Sequence, residues 1–283
     1  MTVRARRRPR LVRAALLVLA CGALAGCGAS TIPAIHSEPE RLEQARRAMG
    51  RGEHNVSIEL LKTYVANNAG GADVDQAIEL LGESYLRIKD WALAQAEFER
   101  LLRDYPESDS SAAGAYHLGV ALWGQARGPD FDQEFTQRAL EQWQGYLRGY
   151  PGHWLAVEAG KRVAAARTRL ATKLANSGTL YLKLHLPAPA EVYFRRVLDE
   201  YADTPRAADA RLGLALAEAL QGHRPQAIAA LRQVEAEYPG QPVAARAARE
   251  RNRIERSKDR GPVAPVKHAP PEPPPPQAPT GHH

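Results

Sequence analysis

Apolar residues recur at helical spacing along most of the chain, and the pattern is clearest between residues 78 and 106. Ile78, Leu81 and Tyr85 fall on one face of a first predicted helix, and Ala94 and Phe98 fall on one face of a second. A proline closes the stretch, where it would stop a helix. The pattern therefore predicts two antiparallel helices joined by a tight turn.

Small residues alternate with aromatic ones in this stretch in the pattern Leu-Gly-x-x-Tyr, Ala-x-x-x-Phe and Tyr-Pro, which is typical of the tetratricopeptide repeat. The glycine and alanine let the two helices approach, and the phenylalanine fills the space between them. With Ala94 as the register mark, further copies have their marks at Ser57, Ala139, Ala190 and Ala227. The residues predicted to pack the best-preserved copies are Gly82, Tyr85, Ala94, Phe98, Gly178, Tyr181, Ala190 and Phe194.

The copies are spaced 37, 45, 51 and 37 residues apart, so two intervals carry insertions relative to the usual repeat of about 34 residues. We expect an all-α fold over residues 39–258, a right-handed superhelix of about five helix pairs with a C-terminal capping helix. One unusually long helix is predicted from Trp154 to Leu186, ended by Pro187 and Pro189. The last helix is rich in arginine, which suits either a solvent-facing cap or a site for an acidic partner.

Residues 1–26 have the features of a secretory signal: six arginines without an acid, an apolar run, and then small residues. The run is shorter than the roughly 20 apolar residues of a transmembrane helix. It ends in Leu24-Ala25-Gly26-Cys27, which resembles the lipobox of bacterial lipoproteins. That resemblance implies cleavage before Cys27 and lipidation of its thiol. The alternative is an ordinary signal with an incidental cysteine.

The predicted signal accounts for the formal net charge of +6 and contains one of the two cysteines. Six of the 38 basic residues lie in it, which leaves 32 basic against 32 acidic residues and argues against a nucleic-acid partner. The only other cysteine, Cys21, lies in the apolar run, so no disulfide is expected. Residues 27–38 are predicted to be a lipidated tether.

Residues 259–283 form a proline-rich tail, with nine prolines between positions 261 and 283, and are predicted to be disordered. The tail could bind a partner groove or approach the cell wall, or it could simply be solvated.

The sequence contains no local motif for catalysis. We find no His-Glu-x-x-His zinc pattern, no Gly-x-Ser-x-Gly elbow and no phosphate-binding glycine loop. We therefore expect neither an enzyme nor a metal site, and no cofactor apart from the covalent lipid on Cys27.

Repeat stacks bind ligands on a concave wall formed by the first helix of each pair. Positions relative to the repeat glycines predict a peptide-binding groove lined by Glu83, Tyr116, Val120, Trp123 and Lys183. Tyr116 and Trp123 are the most distinctive, since an aromatic pair could hold an extended peptide. The alternative is that both pack against the inserted turn as core residues.

The chain also resembles the BamD family of outer-membrane protein assembly lipoproteins. The likeness is carried by Leu147 to Pro151, Lys161-Arg162, Arg169 to Ala171, Tyr181 and Val197 to Tyr201, in that order. It departs from the family pattern in its degraded first repeat and at Ala202, where proline is usual.

This resemblance implies a lipid-anchored protein on the periplasmic face of the outer membrane. It further implies a BamA-type barrel protein, other Bam lipoproteins and unfolded outer-membrane proteins as partners. The alternative is another periplasmic repeat adaptor, such as a coordinator of cell division, the Tol-Pal system or the peptidoglycan machinery.

Overall fold

The computed structural model describes residues 35–257. The signal, the lipobox with Cys27, most of the predicted tether and the proline-rich tail lie outside this range. Within it the chain forms eleven helices and no strands: α1 Glu38–Gly50, α2 His54–Asn67, α3 Val74–Arg87, α4 Trp91–Asp104, α5 Ser110–Gln125, α6 Glu134–Gly149, α7 Ala156–Lys183, α8 Pro187–Glu200, α9 Arg206–Leu220, α10 Arg224–Glu237 and α11 Pro242–Arg256.

Each helix packs mainly against the next one along the chain, so α1 to α10 form five antiparallel pairs. The eleventh helix covers the open end by packing on α10 and α9. The expected all-α tetratricopeptide superhelix with a C-terminal cap is confirmed.

The predicted close packing within repeats is also present. A Cβ placed on Gly82 would lie 2.7 Å from the Phe98 ring, and one on Gly178 would lie 2.8 Å from the Phe194 ring. Both phenylalanines are buried. Ala94 and Ala190 are fully buried, Tyr85 is buried and Tyr181 is half-buried. The aromatic ring of each second helix therefore occupies the space that the glycine of the first helix leaves free.

The long helix α7 differs from its prediction at both ends. It begins two residues later, at Ala156, and ends at Lys183, before a turn in which His185 has a φ of 57°. Pro187 begins α8, because proline is tolerated at the first position of a helix, where its missing N–H has no partner to lose. The prediction that Pro187 and Pro189 end α7 was therefore wrong, because the helix ends before them and both prolines belong to α8.

Helix α7 also connects two parts of the core. Its residues up to Leu170 pack with the core of the first three pairs, and from Ala171 onward they pack with α8 and α9. A third cluster joins α9, α10 and α11. The superhelix thus has an N-terminal and a C-terminal half, and α7 belongs to both.

Candidate functional site: the concave wall

The first helices of the pairs form one wall of the molecule. Helix α3 contacts α1 and α5, and α9 contacts α7 and α11, whereas second helices of neighbouring pairs make no contact of comparable extent in the described part of the chain. Helices packed closely on one side and spread on the other form a curved stack. The first helices therefore line its concave side.

The wall is interrupted between α5 and α7, and the loop after α5 bridges the gap. The guanidinium of Arg169 lies 3.4 Å from the centroid of the Trp123 ring. The Lys173 ammonium donates to the carbonyl oxygen of Asp130 at 2.9 Å, and the Asn176 amide donates to the Asp130 carboxylate at 2.9 Å. The insertion in the third repeat therefore fastens this loop to the middle of α7.

These contacts decide between the two interpretations of the predicted aromatic pair. Tyr116 is only 5% exposed, and its ring packs edge-on against Tyr146 at 5.8 Å. Trp123 is half-buried between Arg169 and the Trp143 ring. Tyr116 is thus a core residue, and the prediction that it lines the groove was wrong. The half-buried Val120 packs against the same core.

The N-terminal half of the wall carries acidic side chains that are partly buried. Glu79 and Glu83 are one turn apart on α3, and Glu83 lies 3.6 Å from Nδ1 of His117 on α5. Burial raises the pKa of both carboxyls, and for Glu83 the negative charge of Glu79 adds to this. Burial, with Arg87 nearby, lowers the pKa of His117 to about 4. The His117–Glu83 contact is therefore not an ion pair at neutral pH.

Beside this cluster the wall forms a polar cleft of about 580 Å³, whose lining includes Glu79, Asp75 and Arg46. Asp75 accepts a hydrogen bond from the hydroxyl of Ser108, in the loop before α5. This end of the wall can accept hydrogen bonds and positive charge.

The C-terminal half of the wall forms a cleft of different character, with a volume of about 490 Å³. Leu182, Leu216 and Ile254 provide apolar lining, Lys183 adds positive charge, and Arg253 pairs with Glu250 of the same lining at 2.7 Å. Lys183 therefore lies in a cleft, at the position where the repeat pattern predicts a groove residue. The role of α11 as one side of this cleft was not apparent from the sequence.

Helix α11 serves mainly as a cap, since several of its arginines form ion pairs with this chain. Arg246 pairs with Asp209 at 2.9 Å, and Arg251 pairs with Glu235 at 2.8 Å. These contacts favour the interpretation as a cap over a free site for an acidic partner.

His117 is the residue of the wall that sequence reasoning missed. It lies two residues before Gly119, the glycine that packs against Trp143 as Gly82 packs against Phe98, so its equivalent in the preceding repeat is Leu80 and not Glu83. The repeat register therefore does not predict the contact between His117 and Glu83.

Comparison with known proteins places the chain in a family. The family YfiO, described as "Outer membrane lipoprotein", matches residues 36–222, and a tetratricopeptide-repeat family matches residues 209–240. The outer membrane protein assembly factor BamD of Caulobacter vibrioides is 23% identical over 208 residues, which cover 72% of this chain and 68% of that protein.

Solved structures of tetratricopeptide-repeat proteins are also similar. A thermophilic repeat protein of Thermus thermophilus is 18% identical, covering 75% of this chain and 98% of that one, with a TM-score of 0.35. A repeat protein of Parabacteroides merdae is 16% identical, covering 77% and 73% of the two chains, with a TM-score of 0.34.

No helix among residues 35–257 is both long and apolar enough to cross a membrane.

The YfiO match extends from the start of α1 to the end of α9, about two thirds of the sequence. The chain therefore belongs to the YfiO family of outer membrane lipoproteins, as a tetratricopeptide-repeat protein of the BamD type.

Proposed function

We propose that this protein is a lipid-anchored, non-catalytic scaffold for the assembly and insertion of β-barrel proteins on the periplasmic face of the outer membrane. Family membership across residues 36–222 supports this role at the level of the family. The observation that carries the proposal is the concave wall, which presents two clefts of different chemistry on one stack of helices.

The two clefts suit different partners. The polar, largely acidic N-terminal cleft would receive segments of unfolded outer-membrane proteins. The apolar C-terminal cleft, with Lys183, would receive a BamA-type barrel protein or another Bam lipoprotein through an apolar segment that also carries an acidic side chain. The long helix α7 would hold the two sites at a fixed separation.

The proposed anchor is the lipid on Cys27. Eleven residues lead from Cys27 to Glu38 at the start of α1, a contour length of at most roughly 40 Å. A tether of that reach would keep the superhelix close to the membrane into which barrels are inserted. The protein itself would carry out no reaction, and its contribution would be binding and positioning.

Co-purification from the source bacterium tests the proposal. Full-length protein with an affinity tag is extracted in mild detergent, and its partners are identified by mass spectrometry. We expect a BamA-type barrel protein to be recovered, and its absence would overturn the proposal. Recovery of peptidoglycan or Tol-Pal components instead would select the adaptor function.

A pair of charge reversals sharpens the test. Lys183→Glu reverses a charge within the C-terminal cleft, whereas Lys62→Glu reverses an exposed charge on the second helix α2, away from the wall. We expect Lys183→Glu to reduce recovery of the barrel protein at least fivefold, because like charges then face each other across the interface. Lys62→Glu should leave recovery unchanged.

A further inference from the structure

We propose that Glu79, Glu83 and His117 form a binding site for a divalent transition-metal ion of the Zn²⁺ class on the concave wall. This inference does not rest on the proposed scaffold function. The sequence alone predicts no metal site, because it contains no metal-binding motif of the kind that lies within a single helix.

The geometry brings three potential ligands together from two neighbouring repeats. Glu79 and Glu83 lie four residues apart and so project from the same face of α3. His117 faces Glu83 from α5, the first helix of the next pair. One ligand atom from each of the three side chains lies within 4.8 Å of the other two.

The 3.6 Å between His117 and Glu83 is close to the distance between two ligand atoms of a bound ion, whereas the limit of 4.8 Å for the whole set is wider. Ligand atoms around a tetrahedral Zn²⁺ stand roughly 3.4 Å apart, because the bonds to nitrogen and oxygen are about 2.0–2.2 Å long. The two glutamates are long side chains with rotatable bonds, so small rotamer changes can bring their oxygens inward. His117 is held in place, since its ring packs against Phe98 at 5.6 Å and Tyr116 at 5.3 Å.

The imidazole of His117 is suited to be a ligand. Its Nδ1 atom is buried and has no hydrogen-bond partner among the described residues, although it faces Glu83. Leaving a buried polar atom without a partner costs free energy. The neutral imidazole ring is the form that binds metal.

The electrostatics of the cluster also favour a cation. Two carboxylates lie close together in a partly buried place, where burial disfavours their charged forms. Asp75, Arg87 and His153 are the charged or titratable groups outside the cluster that act on it through charge. A divalent ion bound directly by the carboxylates would offset their mutual repulsion. A site with two oxygens and one imidazole nitrogen favours a transition metal over Ca²⁺ or Mg²⁺, which prefer oxygen alone.

Titration of the purified full-length protein with Zn²⁺, in competition with a chromophoric chelator, tests the inference. The wild type should bind one ion with a dissociation constant in the micromolar range or tighter. Glu79→Gln/Glu83→Gln, which preserves side-chain size, should weaken that binding at least tenfold, and so should His117→Gln. Co²⁺ absorption in the visible range gives an independent signal, which the same variants should lose.

Two control variants distinguish Zn²⁺ binding at this site from Zn²⁺ binding at histidines elsewhere in the chain. His223→Gln removes a ring that pairs with Glu218 at 2.7 Å outside the cluster, and it should bind Zn²⁺ like the wild type. His282→Ala/His283→Ala removes tail imidazoles and should also retain the site. Circular dichroism checks the fold, and if His117→Gln does not fold, the double glutamine variant decides alone.

The inference is overturned if the wild type shows no Zn²⁺ binding under these conditions. It is also overturned if the double glutamine variant binds as tightly as the wild type, or if only the tail variant loses binding.

Discussion

The guanidinium of Arg169, on the long helix, lies 3.4 Å above the ring of Trp123, at the end of α5. Helices α5 and α7 otherwise make little contact, so this pair and the adjoining loop bridge the gap between the two helices on the wall. Burial lowers the pKa of Arg169, which shows that the cation is partly desolvated, and a cation–π contact is stronger in such surroundings.

A double-mutant cycle with Arg169→Met and Trp123→Leu should therefore reveal coupling of about 1 kcal/mol in the free energy of unfolding. Both replacements keep an apolar side chain while they remove the charge or the ring. Urea unfolding followed by circular dichroism measures the cycle. Lys161→Met, which alters an exposed lysine on the same helix, is the control and should change stability little. Coupling below about 0.3 kcal/mol would show that the two side chains act independently.

Glycine at position 82 should be required for packing rather than for backbone freedom. A methyl group there would lie 2.7 Å from the Phe98 ring, so Gly82→Ala should destabilise the protein by roughly 1–3 kcal/mol. Gly160 lies in α7 with open space around its Cα, and Gly160→Ala should be neutral or stabilise by up to about 1 kcal/mol. Thermal unfolding of the two variants compares them directly. Equal effects would mean that Phe98 moves aside at little cost.

The packing within each repeat could be predicted because its determinants lie close together in sequence. Gly82 and Phe98 are 16 residues apart, as are Gly178 and Phe194, and each pair needs only one helical hairpin to meet. Such contacts depend on local helical periodicity and on residue size. The number of repeats and the capping helix follow from the same pattern.

The lining of the wall was harder to predict because it depends on how neighbouring repeats are rotated against each other. Tyr116 and His117 are adjacent in sequence, yet Tyr116 is buried and His117 faces the glutamates of α3. A periodic pattern with an inserted loop does not fix that rotation.

Glu97 on α4 should lower the stability of the protein at neutral pH. Its side chain is 21% exposed, and one of its carboxylate oxygens is buried without a hydrogen-bond partner in the described chain. Burial raises the pKa of this carboxyl above its ordinary value of 4.5, and Arg100, 3.8 Å away, offsets this only in part. The folded state therefore binds this proton more tightly than the unfolded state does.

It follows that Glu97→Gln should raise the free energy of unfolding at pH 7, by roughly 0.5–1 kcal/mol. The gain should shrink as the pH falls through the raised pKa and vanish below about 4, where the wild-type carboxyl is protonated in both states. Thermal unfolding from pH 7 to pH 3.5 measures this difference. Glu107→Gln, at an exposed loop position, is the control and should show no such trend. A gain that did not depend on pH would point to packing rather than ionisation.

Attachment to the membrane should depend on Cys27 alone. Cys27→Ser removes the thiol to which the lipid would be joined, whereas Cys21→Ser changes the other cysteine, within the apolar run of the signal. Several acyl chains hold a protein on a bilayer stably, and the charge balance of the chain after the signal offers no strong attraction to replace them. Cys27→Ser should therefore move the protein from the outer-membrane fraction to the soluble fraction, with an unchanged circular dichroism spectrum and melting temperature. Cys21→Ser should pellet with membranes like the wild type, and a Cys27→Ser protein that still pelleted with them would rule out the lipid anchor.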